Sequence, residues 1–167
     1  MVERVRIYGN KFKFVGIFDL SAFYNFVYTW LQENKFVIIE EKTYTEKVKP
    51  NGKEVEIHWE ARKKVSDYIR FLVKLDWLVL GMTNVEVDDN GAKIKMNKAS
   101  IEIMFTGYLE KDYEHRWETT AVSKFLRGLY DRYIIRSSLE NYEEQIMTEV
   151  DELNAQCKSY LSLEGKR

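Results

Sequence analysis

The side chains with the most chemistry open to them in this 167-residue chain are two histidines, His58 and His115, and one cysteine, Cys157. A metal site needs several His, Cys or carboxylate ligands converging on one point. His58 falls on the charged parity of a strand pattern, where a solvated imidazole is the ordinary outcome. His115 lies in Glu110-Lys111-Asp112-Tyr113-Glu114-His115-Arg116-Trp117-Glu118. Carboxylates and an imidazole this close bind a cation or pass a proton in some proteins. They also collect at helix starts, where acids complement the dipole. Cys157 occupies an apolar position of a helical pattern and reads as a packed side chain rather than a reactive thiol. There is no Gly-x-Ser-x-Gly elbow, no P-loop and no Gly-x-Gly-x-x-Gly, and the 8 glycines are scattered among turns. No catalytic residue, metal ligand or cofactor is assigned. An enzyme using a lone Glu or Asp base in a cavity would leave no such signature, so catalysis is unsupported rather than excluded.

Arg62-Lys63-Lys64, followed by Tyr68, Arg70 and Phe71, is the nearest approach to a basic aromatic patch. Single-stranded nucleic acid requires both phosphate neutralisation and exposed stacking rings. Phe71 falls on the buried parity here, and Glu54, Glu56 and Glu60 share the basic residues' sheet face. Cross-strand ion pairs account for the pattern, and nucleic acid is not expected as a partner.

Composition sets the frame for these residues. Apolar residues make up 45% and charged residues 32%, which argues for a globular fold over disorder. A net charge of −1 gives no bulk pull toward nucleic acid or anionic lipid. One cysteine forms no intrachain disulfide. The opening residues are charged and strand-like rather than signal-like, and no apolar run approaches the roughly 20 residues that span a bilayer. No membrane insertion and a cytoplasmic location are expected.

Strand-like alternation runs over 5–18, with Gly9-Asn10 as either a hairpin turn or a bulge. Asp19 reads as an N-cap for a helix carrying Leu20, Phe23, Tyr24, Val27 and Leu31, which ends near Asn34. Extended segments follow over 36–48, then a Pro50-Asn51-Gly52 turn, then Val55, Ile57, Trp59 and Ala61 on one face. Ile69, Phe71, Val73, Leu75 and Trp77 continue that face, with an end or bend near Gly81. Asp88-Asp89-Asn90-Gly91 signals another hairpin, and Ile101, Ile103, Phe105 and Leu109 make a last strand. Gly107 within it permits a bulge or a close approach, a sheet bend being the commoner reason.

The remainder is helical. A broad apolar stripe of Val122, Phe125, Leu126, Leu129, Tyr130, Tyr133 and Ile134 belongs against a globular core. Beyond Ser137-Ser138 it narrows to Leu139, Tyr142, Ile146, Val150, Leu153, Cys157 and Tyr160, the spacing of a coiled-coil seam. Unbroken, such a helix spans on the order of 60 Å. The chain thus reads as a single α+β domain, 1–167. Its helical extension, 138–162, either folds back or meets a partner or a second copy through 139–160.

The order of elements resembles the helix-grip arrangement of the Bet v 1 and START-like superfamily, in which a curved antiparallel sheet wraps a C-terminal helix. The resemblance covers about 5–135 and rests on topology. Beside it the chain reads as a sheet of about six to seven strands with the long C-terminal helix on its inner face, and with one N-terminal helix, Asp19 to Asn34, where that superfamily usually has two short ones. The resemblance also implies a cavity for a hydrophobic small molecule between sheet and C-terminal helix. On that reading Trp59, Phe71, Trp77 and Phe105 line the cavity from the sheet, and Phe125, Leu129 and Tyr133 from the helix; the same rings otherwise make an ordinary packed core. The expected function is non-catalytic binding of such a molecule; the alternative is an interaction or scaffold role for the extended helix.

Overall fold

The computed structural model describes residues 2–117 and 119–166. It is an α+β fold with one antiparallel sheet of strands β1 (Glu3–Phe18), β2 (Ile38–Lys49), β3 (Gly52–Lys64), β4 (Ile69–Asp89) and β5 (Ala92–Lys111). Helix α1 (Leu20–Glu33) joins β1 to β2; α2 (Ala121–Leu129), a π-helical turn (Tyr130–Ile134) and α3 (Arg136–Glu164) follow β5. The strands lie in the order β1-β5-β4-β3-β2, so the first strand pairs with the last.

Five strands replace the expected six to seven because two apparent breaks are bulges. The β1–β5 register slips between Arg6 and Tyr8, and Gly9-Asn10 stays within β1. At Gly81, with φ of 63°, the β4–β5 register slips between Leu80 and Thr83, and the strand bends without ending. Consequently β4 and β5 run unbroken for 21 and 20 residues. Their hairpin turns at Asn90 (φ 52°) and Gly91 (φ 87°), the two positive dihedrals of a type I′ turn.

Gly52, with φ of 119°, closes the β2–β3 hairpin, and a Cβ there would lie 2.8 Å from the Gly81 carbonyl carbon. Asp19 caps α1 as expected, its carboxylate accepting from the Ala22 N–H at 3.1 Å. The left-handed residue after α1 is Lys35 (φ 67°) rather than Asn34. It allows the Phe36 N–H to reach the Leu31 carbonyl at 2.9 Å and the Lys35 N–H to reach that of Gln32 at 3.0 Å.

Period-two alternation places Val55, Ile57, Trp59 and Ala61 of β3 on one face with Phe71, Leu75 and Trp77 of β4 and Ile101, Ile103 and Phe105 of β5, all buried. Two helices share that face. The α1 rings Phe23 and Tyr24 cover its β3–β4 side, at 5.4 Å from Trp77 and 4.6 Å from Trp59. Over β1 and β5 lies α3, burying Ile146, Val150, Leu153, Cys157 and Leu161. The helices meet where Tyr160 stacks on Phe26 at 4.5 Å.

The opposite face is mixed, with Leu72 and, near one end of the sheet, the Glu110 carboxylate fully buried. The carboxylate accepts from Arg4 Nε at 2.9 Å and Arg70 Nε at 2.7 Å, with Arg62 Nε at 3.7 Å.

Candidate functional site

Of the residues expected to line a cavity, Trp59, Phe71, Trp77 and Phe105 are all buried in the inner face. Trp59 and Trp77 stand 5.2 Å apart and Phe12 stacks on Phe105 at 6.0 Å. Next to Phe105, the helix comes so close that a Cβ on Gly107 would lie 3.1 Å from Ile146. The Tyr24 phenol, donating to Glu41 at 2.5 Å, is pushed up to about 12, chiefly by burial and then by that hydrogen bond. Trp77 Nε1 and Asn154 Oδ1 are buried here without a hydrogen-bond partner among the described residues.

Phe125, Leu129 and Tyr133 do not join this group. They stand on α2 and the π turn with exposures of 67%, 40% and 70%, and none of the described residues in either element is buried. The broad stripe that the sequence assigns to the core faces outward, and the narrow stripe of α3 covers the sheet instead.

The reason lies on the other side of α2. Thr120 caps the helix, its hydroxyl accepting from the Ser123 N–H at 3.1 Å. About two turns further, Arg127 points at the body. It donates to Glu3 Oε2 at 2.7 Å and to the Tyr68 hydroxyl at 3.0 Å, with Asp112 at 3.9 Å. That hydroxyl in turn donates to Asp131 Oδ1 at 2.8 Å. Burial first, and then the Asp131 carboxylate, raise the Tyr68 phenol above its ordinary value of 10.0, against the opposing pull of Arg127. Tyr130 packs edge-on against Tyr68 at 5.7 Å and stacks on Trp117 at 5.9 Å. The helix is therefore docked by its polar side.

Outward, Trp117, Leu126, Leu129, Tyr130, Tyr133 and Ile134 form an open apolar groove of about 400 Å³. Exposed Val122 and Phe125 extend its apolar surface along α2. Trp117, Leu126, Tyr130 and Ile134 were not among the expected site residues, nor were the anchors Arg127 and Tyr68.

The other residues singled out by type are engaged locally. His58 Nδ1 pairs with Asp76 Oδ1 at 2.7 Å on the wet face. Asp112 accepts from the backbone N–H groups of Arg116 (2.9 Å) and Trp117 (3.3 Å), organising the turn that carries His115. Glu118, the last member of that charged run, lies outside the described residues. Cys157 is buried and its thiol pushed up to about 12 by that burial. Arg62, Lys63, Lys64 and Arg70 pair with Glu40, Glu149, Asp67 and Glu110 respectively.

No family model matches the chain, and no curated protein or solved structure matches it significantly. No described helix is long and apolar enough to cross a membrane.

Proposed function

We propose that this is a non-catalytic binding protein that takes a hydrophobic ligand in the groove along α2 and the π turn. The carrying observation is the orientation of α2, which is anchored through Arg127 while Phe125, Leu129 and Tyr133 face solvent. Soluble proteins rarely leave so many large apolar side chains contiguous on one surface unless something covers them. A groove of about 400 Å³ also suits a ligand of modest size. The strand order and a helix across one sheet face support the helix-grip comparison. Yet the groove lies outside the sheet–helix interior, which α1 and α3 cover. A partner docking on the 139–160 stripe would have to displace the sheet from Ile146, Val150, Leu153 and Cys157, so that reading is the weaker one.

Titration with an apolar, environment-sensitive fluorophore tests the groove. Leu129→Asp with Tyr133→Asp is expected to abolish binding and leave the far-ultraviolet circular dichroism unchanged. Fluorophore binding that survives both substitutions places the ligand elsewhere and overturns the proposal.

A further inference from the structure

We infer that the occupant of this face is an anionic bilayer surface, with α2 and the π turn lying in its interfacial layer. The inference rests on the groove being the binding site and adds what it binds. Residues 116–136 carry five basic side chains, Arg116, Lys124, Arg127, Arg132 and Arg136, against two acidic ones, Glu118 and Asp131; of the five, Arg127 is turned inward onto Glu3 and Arg116 pairs with Glu114. Asp131 is turned inward onto the Tyr68 hydroxyl. Lys124, Arg132 and Arg136 are exposed, and the Arg132 guanidinium sits over the Tyr133 ring at 5.7 Å.

A short helix with Phe, Leu and Ile on one side and exposed cations in and after it has the composition of an interfacial amphipathic helix. Trp117 and Tyr133 add amphipathic rings of the kind that settle at headgroup level. Long cationic side chains let their stems lie along apolar surface while their heads reach phosphate.

Because the whole chain carries a net charge of only −1, this cationic character is local and would orient the molecule rather than merely attract it. The acids of the next helix begin at Glu140, beyond the bend at Ile135. Docking needs no unfolding, since the Arg127 anchor already presents the apolar side outward.

Vesicle co-sedimentation tests this, using phosphatidylcholine alone and phosphatidylcholine containing phosphatidylserine. The protein is expected to bind the anionic vesicles at least tenfold more tightly, and to release as salt screens the headgroups. Lys124→Glu, Arg132→Glu and Arg136→Glu combined should weaken anionic-vesicle binding by roughly a hundredfold or more. The same variant should retain the apolar fluorophore, which shows that its groove is folded. Trp117 supplies a second readout, because Trp30, Trp59 and Trp77 are buried. A blue shift on vesicle binding that Trp117→Phe removes supports the inference. Equal binding to neutral and anionic vesicles overturns it. If the fluorophore binds but neither vesicle does, the face belongs to a soluble ligand or a protein partner; the inference then fails while the groove stands. If nothing binds, both readings fail.

Discussion

A Cβ on residue 107 would lie 3.1 Å from Cγ1 and 3.2 Å from Cδ1 of Ile146, so glycine in β5 sets how closely α3 seats on the sheet. Val150 Cγ2 stands nearly as close, at 3.3 Å. Contacts this tight leave no room for a methyl group unless the helix or its side chains retreat. Gly107→Ala is expected to cost about 1–3 kcal/mol in urea unfolding. Ile146→Val alone should cost about 0.5–1.5 kcal/mol, and the double variant less than the sum of the two. Strict additivity would show that α3 does not rest on this glycine.

On the opposite face the fully buried Glu110 carboxylate holds Arg70 at 2.7 Å and Arg4 at 2.9 Å. Arg70 is itself only 20% exposed and has this carboxylate as its partner, so removing it strands a partly buried cation, while Arg62 keeps Glu40 and Glu60. Glu110→Ala should therefore destabilise by about 3 kcal/mol or more. Arg4→Ala, at the exposed rim, should cost about 1 kcal/mol or less. Comparable losses in thermal denaturation would contradict the buried position of Glu110.

Much of this architecture is legible in local pattern. The Asp19 cap, the turn at Asn90-Gly91 and the shared parity of Trp59, Phe71, Trp77 and Phe105 depend on neighbouring residues, and the structure places them as that pattern implies. Strand number is not local in this sense. Gly81 carries the same signal whether it ends a strand or bends one, and here it bends β4.

Which helix covers the sheet is less local still. Periodicity reports that a face is apolar, not what it meets. Because α1 already covers the Trp59–Trp77 side, the area left over β1 and β5 needs only the narrow stripe of α3. The broad stripe of α2 is then surplus to the core. Its orientation depends on Arg127 and Tyr68, 59 positions apart in sequence and joined by one hydrogen bond. No spacing rule announces such a pair, and the groove was invisible without it.

Tyr68→Phe removes the hydroxyl that both donates to Asp131 and accepts from Arg127. The expected cost is about 1–2 kcal/mol, felt locally. Amide hydrogen exchange should accelerate across 121–134 while the β4–β5 amides keep their protection. The phenol's raised pKa fixes the pH dependence. A proton held more tightly in the folded state stabilises it fully below the ordinary value of 10.0, and that contribution fades as pH climbs through the higher folded value. The anchor should thus hold at neutral pH and loosen only in strong alkali. Loosening near neutrality, in wild type but not in Tyr68→Phe, would contradict this.

Cys157 reports on the other half of the C-terminal segment. Its thiol is buried against the sheet and pushed up from 9.0 to about 12 by burial. A thiol reagent at pH 8 should therefore react only with molecules in which α3 has lifted, since thiolate is the attacking species. Gly107→Ala, by weakening the seat of that helix, should increase the labelling rate without unfolding the chain. The sign of the linkage gives a second check. A folded pKa above the unfolded one contributes stability fully below about pH 9, and the contribution disappears between 9 and about 12. Tyr24 and Tyr68 add to the alkaline loss, so the useful quantity is the difference between wild type and Cys157→Ala. Wild type should lose more stability than the variant as pH rises from 9 to 11. Parallel losses, or rapid labelling at pH 8 in the native state, would mean that the α3 stripe is not sealed against β1 and β5.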